Sequence, residues 1–233
     1  MTEWFTSDLH FNHKFVSGLR GFWTADDDGK EVVPDTEAHN QAIIDAWTKV
    51  VKPDDLVWCV GDMCVSASGW IKALEIIGSL PGRKILVSGN HDPTANHHRD
   101  ARKYQRAALE VFEAVQEYGR IKMAPRDAWY GGYVLVSHYP YSGSGSDHGT
   151  ERYTQFRLPD LGMPLIHGHT HGKEKLHISD SGTPEVHVGF DAWGRLVAKH
   201  EIEKMIDRFD QVKTMKENLV TAIREGVQED HGN

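Results

Sequence analysis

Residues 84–92 read Lys84-Ile85-Leu86-Val87-Ser88-Gly89-Asn90-His91-Asp92, a short β-branched-rich run, a glycine, then three side chains that can ligate a metal or move a proton. The apolar run has the length of a buried strand, and the glycine allows the tight turn that ends it. The same grammar recurs along the chain. Trp4-Phe5-Thr6-Ser7 runs into Asp8-Leu9-His10, and Leu56-Val57-Trp58-Cys59-Val60 into Gly61-Asp62. Tyr133-Val134-Leu135-Val136-Ser137 leads to His138, and Met163-Pro164-Leu165-Ile166 to His167-Gly168-His169-Thr170-His171. Glu185-Val186-His187-Val188, before Gly189, is a further strand.

Each motif alone is weak. A D-x-H arises readily by chance, and an Asp after a strand and a glycine serves equally well as a helix cap. Their agreement carries the argument. All five follow predicted strands, and α/β sheets place ligand sites at the carboxyl ends of their strands. All use carboxylate, imidazole or amide oxygen, donors suited to divalent ions. In Asp8-Leu9-His10 and His169-Thr170-His171 the period of an extended chain is expected to turn both donors to one side.

Helical patterns separate the strands. Residues 38–51 place Ile43, Ile44, Trp47, Val50 and Val51 on one face, and further helices are predicted around 69–79 and over about 97–118. A last helix, about 201–225, carries a stripe of Ile202, Met205, Ile206, Phe209, Val212, Leu219 and Ile223. That stripe is expected to pack on its own domain, with a homodimer contact as the alternative. The alternation predicts an α/β fold with a central sheet, as one domain over 1–233. Asp26-Asp27-Asp28-Gly29 lacks the spacing of a calcium loop and reads as a hairpin turn at Asp28-Gly29. The Gly/Ser-rich stretch Ser142–Asp147, just after His138, is either a substrate gate or a plain connector.

Composition narrows the function. The chain has 233 residues, 39% apolar and 26% charged, the balance of a folded globular protein. Nothing approaches the roughly 18–20 apolar residues of a membrane span. The first residues lack a signal-peptide pattern, so the cytoplasm is the expected location, the host's if the chain is phage-encoded. A net charge of −8 argues against an extended nucleic-acid surface. It does not exclude a phosphate substrate, because bound divalent cations invert the local field. Cys59 and Cys64 flank Gly61-Asp62 and are expected to be free thiols.

The ordered series D-x-H, G-D, G-N-H-D, H and G-H-T-H, spanning residues 8–171, resembles the calcineurin-like metallophosphoesterase superfamily. The flanks Thr6–His13 and Val188–Trp193 resemble its small single-domain bacterial and phage members. The resemblance implies a four-layer α/β/β/α sandwich with a two-metal site at one edge. It implies two divalent ions, manganese first, with iron, nickel, cobalt or zinc as alternatives. Asp8, His10 and His171 would hold one ion and Asn90, His138 and His169 the other, with Asp62 bridging. His91 would be the proton donor, and Asp92 is expected to orient it by a hydrogen bond. Asn12, His13, Arg20, Asp191 and Arg195 are candidate substrate contacts. His39, His97, His98, His148, His177, His187, His200 and His231 have no motif context and are read as non-ligands.

The implied activity is phosphoester hydrolysis by a metal-activated water. Gly61-Asp62 continues into Met63-Cys64-Val65-Ser66 rather than the Asp-Arg of the Ser/Thr protein phosphatases. The acidic, compact chain also lacks the basic surface of the nuclease branch. A small phosphodiester such as a cyclic nucleotide is the preferred substrate. A phosphomonoesterase, a nuclease and a non-catalytic metal-binding scaffold are the alternatives.

Overall fold

The structure, a computed structural model, describes residues 1–123, 128–143 and 152–229. In the last helix, side chains are described to residue 212 and at 214 and 215. Ser144–Asp147 of the expected gate, His148, His231 and the side chains of Leu219 and Ile223 therefore lie outside the described residues.

Two five-stranded sheets form the frame. The first is built from β1 (Glu3–Thr6), β4 (Leu56–Cys59), β5 (Arg83–Val87), β6 (Ala114–Gln116) and β12 (Val197–Ala198), in the order β12-β1-β4-β5-β6. β1, β4, β5 and β6 are parallel, and β12 closes the edge antiparallel to β1. The second sheet contains β7 (Tyr118–Lys122), β8 (Tyr133–Ser137), β9 (Leu165–His167), β10 (Leu176–Ile178) and β11 (Pro184–His187), in the order β10-β11-β9-β8-β7. Its three central strands are parallel and its edges antiparallel. A small hairpin of β2 (Trp23–Ala25) and β3 (Val32–Pro34) stands apart. Its turn holds Asp28 and Gly29 as expected, with Gly29 in the left-handed region that a hairpin turn favours.

Phe5, Trp58, Val60 and Val87 of the first sheet meet Val134, Val136, Ile166, Val186 and Val188 of the second in one buried cluster. A second cluster lies on the other face of the first sheet, under α2 (Thr36–Thr48), α3 (Trp70–Ser79) and α4 (Ala101–Ala108). The periodicity explains why these helices settle there. Trp70, Ala73, Leu74 and Ile77 are buried at helical spacing, as are His39, Ile43 and Trp47. Asp35 starts α2 by accepting a hydrogen bond from Ala38 N. The short α1 (Lys14–Leu19) and α5 (Phe190–Trp193) flank the motif loops. α6 (Lys199–Glu229) runs beside β11, β12 and β1, with Ile202 and Ile206 buried. Farther along, Val212 and Met215 are 45% and 71% exposed, so the stripe leaves its own core after its first turns. No described helix is long and apolar enough to cross a membrane.

The long helix expected over 97–118 is corrected. The helix ends at Ala108, and the chain turns through a buried Phe112 into β6 and β7. Val111, Phe112 and Val115 fit a helical stripe and a strand equally well. Pairing of Ala114–Gln116 with Ile85–Val87 decides the matter, because tertiary context overrides a weak local preference. Cys59 and Cys64 are free and buried, and burial pushes both thiols up to about 12.

Glu185 of β11 is fully buried, accepts from Tyr141 N, and leaves Oε2 without a partner among the described residues. Burial pushes its carboxyl up to about 7. The folded state therefore holds this proton where the unfolded chain has lost it. Its contribution is present below the ordinary carboxylate range and is lost as pH rises through about 7. Melting of EDTA-treated protein at pH 5 and pH 8 checks this. Glu185→Gln should remove a few degrees of the decline seen on going to pH 8. An unchanged pH profile would contradict the assignment.

Candidate metal centre

Because β1, β4 and β5 are parallel neighbours, the segments that follow them leave the same edge of the first sheet. β8 and β9 deliver His138 and His169 from the second sheet, and a bridge between Ser7 and Gly189 joins the two sheets there. Backbone bonds tie the loops: Asp8 N to Gly61 O (2.9 Å), His10 N to Asp62 O (3.0 Å) and Phe11 N to Met63 O (2.9 Å).

Two groups of donors result. Asp8, His10 and His171 present ligand atoms that all lie within 4.8 Å of one another, and so do Asp62, His138 and His169. Asp62 Oδ2 faces both, 3.4 Å from His138 Nε2 and 3.9 Å from His10 Nε2. Asn90 Oδ1 lies 3.2 Å from His138 Nε2.

The protonation pattern shows what these groups fit. His138 Nδ1 lies 2.9 Å from Val60 O, an acceptor, so Nδ1 carries the proton and Nε2 turns a lone pair toward Asp62 and Asn90. His171 Nδ1 similarly donates to Asp191 Oδ2 at 2.8 Å, leaving Nε2 facing His10 Nε2 (3.2 Å) and Asp8 Oδ1 (3.8 Å). Lone pairs converging with two buried carboxylates fit cations, and imidazoles held by an acceptor behind them are the usual arrangement around a bound metal. Burial pushes His10 and His169 down to about 3, keeping both neutral and able to ligate. Burial opposes charge on His138 too, but the Asp62 carboxylate beside it raises it to about 9, so a proton and a cation compete for its Nε2. The cage attracts positive charge.

The local backbone was not foreseen. Asp8, His10, Asp62, His169 and His171 all have positive φ, between 50° and 72°. The pleat of a strand therefore does not aim Asp8 and His10, which lie beyond the end of β1. Left-handed residues alternating with Leu9 and Thr170 turn both donors inward, and such conformations concentrate at functional sites. Gly168 lies on the seam between the sheets, where a Cβ would sit 1.8 Å from Ser7 Oγ. His167 lies outside both donor groups, its ring 5.3 Å from that of His187, and both are buried.

Several expected contacts are corrected. Asp92 does not reach the His91 ring. Its carboxylate accepts from Asp62 N (2.8 Å), Met63 N (2.8 Å) and Gly89 N (2.9 Å), pinning two motif loops together. Burial and the Asp62 charge push Asp92 up to about 7, while the Gly89 and Met63 amides pull it down. Arg20 and Asp191 face inward. Arg20 grips Asp191 with two bonds (2.9 and 2.6 Å) and donates to Asp8 O (2.6 Å) and Leu9 O (3.2 Å). Against its burial, Arg20 and His171 hold the Asp191 carboxyl well below the usual range. The pair thus supports Asp8 and His171 from behind. Arg195 is taken by Glu201 and rests on the Trp193 ring.

Asn12 and His13 stay at the rim. Asn12 is exposed and exchanges hydrogen bonds with Asn40, and the His13 ring is 5.2 Å from that of His10. His91 is exposed, its backbone N donates to Asp62 Oδ1 (2.8 Å), and its ring lies 5.6 Å from that of His10. Sequence reading missed His39, whose Nε2 accepts from Arg20 at 2.9 Å while burial holds it down to about 4. A signal existed, since His39 lies on the helical stripe of Ile43 and Trp47.

The chain belongs to the calcineurin-like phosphoesterase family, which it matches over residues 1–173. It is 42% identical to the Gene 66 protein of Mycobacterium phage L5 over 214 residues, covering 89% of this chain and 95% of that one. The Gene 66 protein of Mycobacterium phage D29 is 36% identical over 212 residues, covering 89% and 97%. Among solved structures, a protein of unknown function from Aquifex aeolicus, AQ665, superposes with a TM-score of 0.56 at 25% identity, covering 88% of this chain and 99% of its own.

Proposed function

We propose that this phosphoesterase is a phosphodiesterase that hydrolyses a small phosphodiester such as a cyclic nucleotide, with two divalent ions bound by Asp8, His10 and His171 and by Asn90, His138 and His169. The observation that carries the reading is Asp62 Oδ2, which faces ligand nitrogens of both groups at once. Bound there, two divalent cations supply charge neutralisation at phosphorus and an acidified water. Manganese is the first choice, and iron, nickel, cobalt and zinc suit the same donors.

The protein's own residues do the rest. Asp191 and Val60 O hold the imidazoles of His171 and His138 in the tautomer that ligates. Asp92 fixes the loops carrying Asp62 and Asn90. His91, anchored through its backbone but with a free-standing ring, supplies a proton to the leaving oxygen as the bond from phosphorus to that oxygen breaks. Water contributes the new oxygen on phosphorus, and one of its protons restores His91. A diester carries one charge at the scissile phosphate, and Arg20 is already committed to Asp191, which favours a diester over a dianionic monoester.

Kinetics of metal-loaded protein on bis(p-nitrophenyl) phosphate, p-nitrophenyl phosphate and the 2′,3′ and 3′,5′ cyclic nucleotides tests the class. Diesters should be preferred at least about tenfold, the discrimination of a single polar interaction. A preference for the monoester would overturn it. His91→Ala should keep both metals yet lose roughly 10²–10⁴ in turnover on poor leaving groups, the usual worth of general acid help. Equal loss of metal and activity would remove His91 from that role. A homodimer through α6, where Val212 and Met215 are exposed, and a setting in the host cytoplasm belong to the same proposal; the phage relatives support the second.

A further inference from the structure

The net charge of −8 conceals a local reversal beside the site. Residues 97–106 carry four basic side chains, Arg99, Arg102, Lys103 and Arg106, against one acid, Asp100. Two depressions run through this segment. The first, of about 320 Å³, opens beside Asn90 and His91 and is walled by Val65, Ser66, Tyr104 and Arg99. The second, of about 380 Å³, shares His98, Arg99 and Asp100 with the first and continues to Arg102 and Lys103.

Two of these cations are uncommitted. Among the described residues, neither the Arg99 nor the Arg102 side chain has a hydrogen bond or ion pair, and both are exposed. Arg20, Arg83 and Arg195, by contrast, are each paired with a carboxylate. His98 joins the segment to the site, its Nε2 3.0 Å from Asn90 O. Beside it lies an aromatic surface. His97 is 4.2 Å from His98 and stacks at 4.9 Å on Phe156, which is 41% exposed.

We infer that this surface is a track for the part of the substrate beyond the scissile bond, and that the diester is a short single-stranded oligonucleotide rather than a cyclic nucleotide. Arg99 and Arg102 take successive phosphates, and a base stacks on Phe156 and His97. Unpaired cations beside exposed rings are the elements of sequence-tolerant single-strand binding. The track lies on the His91 side of the site, where the leaving group departs. This inference rests on the diesterase reading for its reaction, but not for its binding.

The test uses the full chain. Fluorescence anisotropy of a fluorescein-labelled tetrathymidylate is followed on EDTA-treated protein across a salt series. Binding should weaken with salt with a log–log slope near −0.7 per phosphate contact, about −1.4 for two. The double variant Arg99→Gln, Arg102→Gln should bind at least tenfold more weakly and lose most of that slope, while Arg99→Lys, Arg102→Lys retains it. Phe156→Ala should weaken binding about fivefold with the slope kept, as expected for stacking. In metal-loaded protein, the preference in kcat/KM for d(TpTpT) over d(TpT) should fall in the Gln double variant. Salt-independent binding, or equal binding by wild type and the Gln variant, would overturn the track. Intact binding without turnover of bis(p-nitrophenyl) phosphate would instead overturn the diesterase reading alone.

Discussion

Asp62→Asn should reduce turnover by roughly 10²–10³ or more, the scale for removing one group that stabilises charge in the transition state. The loss should exceed that of any other single ligand change. Asn keeps the shape of Asp and an acceptor for His91 N, now 2.8 Å from Oδ1. What disappears is the negative charge that Oδ2 presents to both donor groups, 3.4 Å from His138 Nε2 and 3.9 Å from His10 Nε2. Removing Asp8 or His169 leaves one group whole, whereas removing this charge weakens both. Metal analysis by inductively coupled plasma mass spectrometry should therefore fall from two ions per chain to one or fewer. Retention of both ions with turnover within tenfold of wild type would show that Asp62 does not join the two sites.

The second large effect is expected of Gly61→Ala, in a residue that carries no ligand. Gly61 has a φ of +88°, and a Cβ there would lie 2.3 Å from His138 Nδ1 and 2.8 Å from the Gly89 Cα. The left-handed conformation alone costs roughly 1–2 kcal/mol for an L-residue. Overpacking adds about 1–3 kcal/mol, because Gly89 is backbone and cannot rotate away. His138 must also shift, which breaks its 2.9 Å bond to Val60 O and turns its lone pair off the second donor group. Thermal melting should show a loss of about 10 °C, consistent with several kcal/mol in a chain of this size, and added Mn²⁺ should restore less than it does for wild type. A midpoint within about 2 °C of wild type, with full metal loading, would mean that the close approach is relieved by backbone movement.

The motif loops could be read from sequence because each signal was local: an apolar run, a glycine, a donor. Parallel pairing of β1, β4 and β5 then gathers three of them at one edge without further information. Three features were not legible. The alternation of Asp8 and His10 suggested a pleat, but left-handed φ values cannot be told from extended ones by residue type when the residues are Asp and His. The stripe through Val111, Phe112 and Val115 has the spacing of a helix, and only the neighbouring edge of β5 makes it a strand. Arg20 and Asp191 were read as substrate contacts and Asp92 as a support for the His91 ring, whereas all three hold backbone or one another. Whether a charged side chain points at substrate or at backbone depends on partners distant in sequence, 171 residues apart for Arg20 and Asp191.

The antiparallel pairing of β12 with β1 has a consequence for synthesis. Translation delivers the first strand almost two hundred residues before its edge partner, and the carboxylate behind His171 is nearly as late. A ribosome-bound polypeptide that has exposed both donor groups, through His171, still lacks Asp191, Val197 and Ala198. The closing edge of the first sheet and the support behind His171 are therefore added after the donor groups themselves, since contacts so far apart in the chain form late in folding.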